Sequence, residues 1–168
     1  MSDRVHTTPV IVDFEAAHAD AFRDLNLIWI EDGFSVEESD RRVLDHPQAE
    51  IIDRGGYIFV AILDEEIAGV CALIPSGPRL YQLAKMAVSP AIRGRGIGRQ
   101  LANAAIGRAR DKGAVAVELF TNTVLAPAMG LYESLGFKPA VFEGAEHTRS
   151  NIRMLLELTQ QDGNESAR

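Results

Sequence analysis

The sequence has a single cysteine, Cys71, so it cannot form an intramolecular disulfide, which favours a reducing compartment. It lacks an apolar run near the roughly 20 residues that a membrane helix needs, and its first residues contain no apolar signal core. Positive charge is scarce: 17 Lys and Arg face 24 Asp and Glu, for a net charge of −7. Without a membrane span or a signal core, we expect a cytoplasmic protein that does not act on membranes. Because acidic domains are poor generic nucleic-acid binders, we also expect no nucleic-acid partner.

Metal-binding patterns are missing as well. The four histidines show no metal-ligand spacing, and the chain contains neither HExxH nor CxxC, so we predict no metal site. Cys71 falls in the middle of a predicted strand. We expect it to be a small buried hydrophobic residue rather than an acyl-carrying nucleophile.

What is present suffices for one folded domain, since 46% of the 168 residues are hydrophobic. Hydrophobic periodicity and turn residues predict an α/β fold with the element order β-α-α-β-β-β-α-β-α-β-β. Ser35 and Glu38 have the spacing of a capping box and predict the start of the second helix. We predict one domain over residues 1–160 and a flexible, polar tail over residues 161–168.

Charge is unevenly distributed along the chain. Residues 93–112 contain six basic residues and one acid, a net charge of +5, which leaves −12 on the remainder. Such a basic segment is either a solvated helix face or an anion-binding site. Residues 93–98 read Arg-Gly-Arg-Gly-Ile-Gly and lie between a predicted strand and a predicted helix. Alternating glycines allow close backbone approach, and a helix N-terminus attracts anions, so the segment predicts a phosphate cradle.

The two common nucleotide loops are excluded by residue identity. A dinucleotide-binding fingerprint that starts at Gly94 requires a third glycine at Arg99. A P-loop requires Gly-Lys-Ser/Thr, whereas Gly98 is followed by Arg-Gln. A glycine-rich loop without a ligand stays open as the alternative.

The pattern Arg93-x-x-Gly96-x-Gly98 resembles the acyl-CoA pyrophosphate loop of the GCN5-related N-acetyltransferases, the GNAT family. Its setting is similar too, with Lys-Met-Ala-Val-Ser-Pro at residues 85–90 before it and Arg-Gln-Leu at residues 99–101 after it. A second block at residues 128–137, Ala-Met-Gly-Leu-Tyr-Glu-Ser-Leu-Gly-Phe, resembles a later helix and turn of the family. Both blocks follow the family's order and spacing.

The resemblance implies a GNAT fold: a mixed, mostly antiparallel sheet of six to seven strands, splayed between strands 4 and 5 and flanked by about four helices. It also implies acetyl-CoA as co-substrate, bound in the splay, and direct transfer of the acetyl group to a primary amine of a small molecule or peptide. Dimers are common in the family, so a homodimer is an expected assembly. The rival hypothesis is a non-catalytic acyl-CoA-binding sensor or interaction protein.

Site residues follow from the same resemblance. Tyr132 occupies the position of the general acid that protonates the departing CoA thiolate, and Asn122 would bind the pantetheine or the acceptor. The predicted CoA-binding residues are Met86, Ala87, Val88, Arg93, Gly94, Arg95, Gly96, Ile97, Gly98, Arg99, Asn122 and Tyr132. The predicted acceptor-side residues are Trp29, Glu31, Asp32, Gln82, Lys85, Glu146 and His147.

Two positions depart from the family's pattern. Gln82 replaces a glutamate that serves as general base in some members, and a glutamine cannot take a proton at neutral pH. Leu125 replaces an asparagine. The general base is therefore open between a water chain and one of Glu31, Asp32, Glu143, Glu146 and His147.

The acceptor is open as well. The segments expected to enclose it are acidic, which favours a small cationic amine. Their acids are Glu31, Asp32, Glu37, Glu38, Asp40, Glu143 and Glu146. Arg79, Lys85, Arg149 and Arg153 could equally position a carboxylate-bearing substrate.

Overall fold

A computed structural model describes residues 8–144 and 149–159. Glu146, His147 and the predicted tail at residues 161–168 lie outside these ranges. The described part of the chain forms a seven-stranded sheet with the order β1-β2-β3-β4-β5-β7-β6. The strands are β1 Val10–Asp13, β2 Tyr57–Leu63, β3 Glu66–Gly77, β4 Leu80–Val88, β5 Ala116–Thr121, β6 Lys138–Ala140 and β7 Ile152–Glu157.

Four α-helices flank the sheet, in agreement with the predicted α/β element order. They are α1 Ala19–Glu31, α2 Glu38–Asp45, α3 Ile97–Asp111 and α4 Ala126–Ser134. A π-helical turn, Gln48–Ile52, which the sequence analysis did not predict, follows α2. None of the helices in residues 8–144 and 149–159 is long and apolar enough to cross a bilayer.

The splay between β4 and β5 is visible in the strand pairing. β4 pairs with β3 antiparallel on one side, whereas its parallel pairing with β5 is limited to Leu80–Gln82 against Ala116–Glu118. The residues 83–88 therefore have no strand partner on the β5 side. The mixed, mostly antiparallel sheet with a splay between strands 4 and 5 is confirmed.

The two faces of the sheet are covered by different helices, because strand side chains alternate between faces. On one face, Leu101 and Ala105 of α3 pack with Cys71 of β3 in a core of residues that exclude solvent. On the other face, Phe22 and Ile30 of α1 pack with strand residues in a second core. Cys71 is fully buried, as predicted.

The start of α2 differs from the sequence prediction. The helix begins two residues later than the proposed Ser35 and Glu38 pair would require, with Glu37 at its N-cap. The backbone N–H of Glu37 donates to Asp40 Oδ2 at 2.8 Å. Ser35 failed as the cap because the helix N-terminus is set by Asp40, a buried carboxylate with tertiary partners.

β4 contains a β-bulge, at which its pairing with β3 shifts by one residue. Val70 of β3 pairs with Ala87, but Ala72 pairs with Ala84, so β4 has one extra residue between these pairs. Lys85 lies in this bulge with a φ of 53°. A left-handed backbone is unfavourable for lysine, and such outliers gather at functional sites.

Gly56 provides a test of the packing behind β3. A Cβ atom there would lie 2.8 Å from the carbonyl oxygen of Ile51 and 3.0 Å from that of Leu73. Backbone atoms cannot rotate away, so we expect Gly56→Ala to lower the free energy of unfolding by about 2 kcal/mol. As a control, Gly107→Ala in α3 meets nothing within 4 Å and should raise it by about 0.5–1 kcal/mol. Urea denaturation of both variants decides the matter, and an unchanged Gly56→Ala midpoint would contradict the close packing.

Candidate active site

A cavity of about 790 Å³ opens where β4 and β5 separate. The unpaired stretch of β4 forms one wall, together with Gln82. The end of α1 and the start of α2 supply further lining, as do the end of β5 and α4. The cavity therefore exists because two neighbouring strands stop pairing.

The predicted phosphate cradle borders this cavity. Gly94 and Gly96 have φ values of 83° and 77°, a left-handed conformation that glycine adopts without strain. A Cβ at either position would meet nothing within 4 Å, so the backbone conformation, and not crowding by the protein, requires glycine there. Gly96 is the N-cap of α3, and the first intrahelical bond is donated by Gln100 N–H to Gly96 O at 3.1 Å. The preceding N–H groups of α3 therefore lack intrahelical acceptors and suit an anion.

Basic side chains around the cradle have different positions. Arg93 and Arg99 line the cavity, whereas Arg95 does not. Arg99 Nη2 donates to Ser134 Oγ of α4 at 2.7 Å, which connects the cradle to the helix that carries Tyr132.

The other half of the basic segment lies at the opposite end of α3. Arg108 pairs with Asp13 at 3.0 Å, and its guanidinium lies 4.8 Å from the centroid of the Tyr57 ring. Arg110 and Lys112 also lie at this C-terminal end, and none of the three lines the cavity. The segment thus combines a half that borders the cavity and a half whose charges complement the C-terminal end of α3.

Tyr132 is positioned by the core beside α4. Its ring packs edge-on against Phe137, with centroids 6.0 Å apart, and the residue lines the cavity. Burial, with a smaller contribution from Cys71, raises the pKa of the phenol to about 12. The hydroxyl therefore stays protonated at neutral pH and can donate a proton.

Asn122 lines the cavity, but its side chain already has protein partners. Its Nδ2 donates to Arg149 O at 3.1 Å, and its Oδ1 accepts from Val124 N–H at 3.0 Å. The amide therefore closes a turn and holds the segment before β7. It borders the cavity without projecting a free amide into it.

A buried ion cluster, formed by Asp40, Lys85 and Arg149, also borders the cavity. The Asp40 side chain is 3% exposed and accepts a hydrogen bond from Arg149 Nη2. Lys85 Nζ lies 3.6 Å from Asp40 Oδ1. All three residues line the cavity.

Burial and charge compete within the cluster. Burial by itself raises the pKa of Asp40, but hydrogen bonds from Arg149 and the Glu37 N–H, with the charge of Lys85, lower it overall. Burial lowers the pKa of Lys85, and nearby Arg149 lowers it further, while Asp40 opposes both. Asp40 is thus ionised at neutral pH and holds two cations in place.

Family comparison fits this geometry. A family model described as Acetyltransferase (GNAT) family matches residues 20–137. The chain belongs to the GNAT acetyltransferase family. The match includes α1, the splayed strands, the cradle and Tyr132.

Individual proteins similar to this GNAT chain support the assignment. The uncharacterized N-acetyltransferase YvbK of Bacillus subtilis is 26% identical over an alignment of 136 residues, and the match covers 71% of this chain and 88% of YvbK. The uncharacterized N-acetyltransferase YjgM of Escherichia coli is 37% identical over 92 residues, and this chain spans 55% of its length. A crystal structure of a Bacillus subtilis acetyltransferase in complex with CoA has a TM-score of 0.70 at 24% identity, covering 90% of this chain and 100% of that chain. This last likeness concerns the fold.

The structure brings most of the sequence-predicted site residues of this GNAT protein to one cavity. On the CoA side, all predicted residues except Arg95 line it. Arg95 lies between two cradle glycines, and its role in CoA binding stays a prediction. On the acceptor side, Trp29, Asp32, Gln82 and Lys85 line the cavity, whereas Glu31 does not, because it is on the solvent side at the end of α1. Glu146 and His147 fall outside the described residues.

The structure also bears on which of the four basic candidates could contact the acceptor. Arg79 Nε donates to Gly113 O and Arg153 Nε pairs with Glu118 at 2.7 Å, and neither arginine lines the cavity. Lys85 and Arg149 do. Asp40 is one of the acids that favoured a cationic acceptor, but it is buried and paired with Arg149 and Lys85. Its spacing of four residues from the buried Leu44 was the sequence signal for an inward-facing carboxylate.

The Asp40 cluster predicts a pH-dependent stability. Asp40→Asn should lower the free energy of unfolding at neutral pH by about 2–3 kcal/mol, because two partly buried cations lose their counter-ion. The Asp40 pKa is lowered on folding, so its contribution is complete above the unfolded pKa of about 3.9 and is lost as pH falls through the folded value. Urea denaturation at several pH values should therefore show the wild type and variant converging below about pH 4. A constant difference would contradict this role.

Proposed function

We propose that the protein is an acetyl-CoA-dependent N-acetyltransferase that moves the acetyl group directly to a primary amine of a small molecule or peptide. The residues 1–160 would form a single acyl-CoA N-acyltransferase domain. The observation that carries the proposal is one continuous cavity bordered by the anion cradle, by a protonated phenol and by a polar acceptor side. Acetyl-CoA has phosphates at one end, which suit the cradle, and a thioester at the other end, which suits the phenol and the acceptor side.

The unpaired side of β4 supports the position of the pantetheine arm. Backbone groups on that side of residues 83–88 lack a strand partner and can hydrogen-bond an extended ligand. The N–H groups near Met86 and Val88 bind the acyl carbonyl and the arm. The same N–H groups stabilise the negative charge on that oxygen when the amine attacks.

Transfer then needs two proton movements. The neutral amine nitrogen attacks the thioester carbon, and the C–S bond breaks as the tetrahedral intermediate collapses. The departing sulfur takes a proton from the Tyr132 hydroxyl, which recovers it from water. The attacking nitrogen loses its proton to water or to Asp32, the general-base candidate among the described residues that lines the cavity, since Gln82 cannot accept it.

Release of free CoA thiol tests the proposal directly. The protein is mixed with acetyl-CoA and a panel of primary amines, and thiol is measured with a chromogenic disulfide, with CoA affinity measured by calorimetry. Amine-dependent thiol release supports the transferase. CoA binding without thiol release for any amine would favour the acyl-CoA-binding sensor, for which Gln82 is the supporting residue.

A further inference from the structure

The acceptor side of the cavity carries more positive charge than its buried partner can balance. Lys85 and Arg149 share the single carboxylate of Asp40. The side chains of Lys85 and Arg149 are 25% and 22% exposed, so both retain surface in the cavity. The cluster has a net charge of +1 when all three groups are ionised.

Among the residues that the structure describes, the other charges that line the cavity offset this excess only weakly. Asp32 and Glu37 also line it, but both are exposed, where water screens their charge. Arg93 and Arg99 lie at the cradle, where the CoA phosphates would neutralise them. One additional anion is therefore accommodated best beside Lys85 and Arg149.

The local backbone points to the same conclusion. Lys85 occupies the bulge of β4 in a left-handed conformation that lysine rarely adopts. Lys85 directly precedes Met86, whose N–H is assigned to the acyl carbonyl. The strained residue of the strand is thus a cation that adjoins the position proposed for the acyl group.

We propose that Lys85 and Arg149 bind a carboxylate group of the acceptor, so that the acceptor is a primary amine that also bears a carboxylate, such as an amino acid or an amino-acid conjugate. This inference rests on the proposed function and narrows its substrate class. A guanidinium and an ammonium donate strong charge-assisted hydrogen bonds to a carboxylate, and the added charge makes the cluster neutral. Asp40 is the positioning residue, because it holds both cations through one buried carboxylate.

The inference reverses the charge argument made from the sequence. Acidic segments favoured a cationic amine, but Asp40 is already occupied and Glu31 lies off the cavity. Among the described residues, Asp32 and Glu37 line the cavity at exposed positions. The charges that are partly buried there and still have surface in the cavity are the cations Lys85 and Arg149.

Matched acceptors test the proposal. Each set contains an amino acid, its amide and the amine that lacks the carboxyl carbon, with several side chains and with the carboxylate one to three carbons from the amine. We expect wild type to acetylate the carboxylates with a kcat/KM about 10- to 100-fold above that of the amides, the range for a charge-assisted hydrogen bond. Lys85→Met should remove this preference by raising KM for the carboxylates more than for the amides.

Two further variants complete the design. Lys85→Arg keeps the charge and should retain the preference, and Lys138→Met, an exposed lysine on β6 away from the cavity, should behave as wild type. Equal rates for acids and amides would overturn the proposal. An equal loss for both in Lys85→Met, with a changed pH profile of kcat, would do so too and would indicate proton transfer by Lys85.

Failure of the proposed function is distinguishable. If no acceptor releases thiol, N-acetylated amino acids and their amides are titrated into the CoA-loaded protein. Tighter binding of the carboxylates by wild type, lost in Lys85→Met, supports the carboxylate site without any turnover. Indifference of wild type to the carboxylate contradicts it.

Discussion

Replacing Tyr132 with phenylalanine is expected to lower kcat by about 10²-fold or more while leaving the Kd for CoA nearly unchanged, since general acids contribute on this scale. The ring remains, so packing against Phe137 is retained and the cavity wall stays in place. Only the proton for the departing sulfur is lost. Steady-state thiol release and calorimetric titration with CoA together separate the two quantities.

Tyr81→Phe is the matched control for this variant. Tyr81 lies on β4 near Tyr57, with centroids 6.4 Å apart, and does not line the cavity. The same oxygen is removed, but turnover should stay within about twofold of wild type. A Tyr132→Phe enzyme as active as this control would exclude the phenol as acid.

The raised pKa of Tyr132 also predicts how kcat depends on pH at alkaline pH. The acid is effective while its proton is present, and its pKa is about 12. Loss of the donor therefore begins only well above the ordinary tyrosine pKa of about 10. Any decline in activity at milder alkaline pH must come from another group.

Replacing Gly96 with aspartate is expected to weaken CoA binding by at least about 10²-fold, because it places a negative charge where α3 and its free N–H groups attract phosphate. The residue also has a φ of 77°, which a side chain tolerates poorly. Calorimetry with CoA measures the loss. Retained affinity would locate the phosphate site elsewhere.

Two variants separate charge from backbone strain. Gly113→Asp has the same substitution at a φ of 78°, with nothing within 4 Å of the new Cβ, at the far end of α3. It shares the strain but not the cavity, so CoA affinity should be unchanged. Gly96→Asn keeps the shape without the charge and should fall between the two in affinity.

The fold was predictable because its signals are local. Alternating and helical hydrophobic spacing identified all the strands and the α-helices, and two motifs at family spacing identified the sheet opening. The cradle was also predictable, since its glycines are contiguous in sequence and their left-handed backbone depends on nearest neighbours. Such features require no knowledge of distant contacts.

The acceptor side was not predictable in the same way. Asp40, Lys85 and Arg149 come from α2, β4 and the segment before β7, so only tertiary structure shows that they share one charge system. The sequence treated Asp40 as one acid among several and the residues 93–112 as one basic unit. The burial of Asp40 shows that it is paired inside the protein. The length of α3 places the basic residues of the 93–112 segment at two opposite ends of the helix.

The short pairing between β4 and β5 leaves an unpaired strand edge in the middle of the sheet, in addition to the edges at its borders. An open edge offers N–H and C=O groups to any extended chain, and proteins commonly protect such edges against aggregation. A pantetheine arm along β4 would substitute for the missing neighbour. By mass action, a ligand at one hundred times its Kd adds about 2.7 kcal/mol of stability. The concentration of the cofactor would then affect both the stability of the folded protein and its tendency to aggregate.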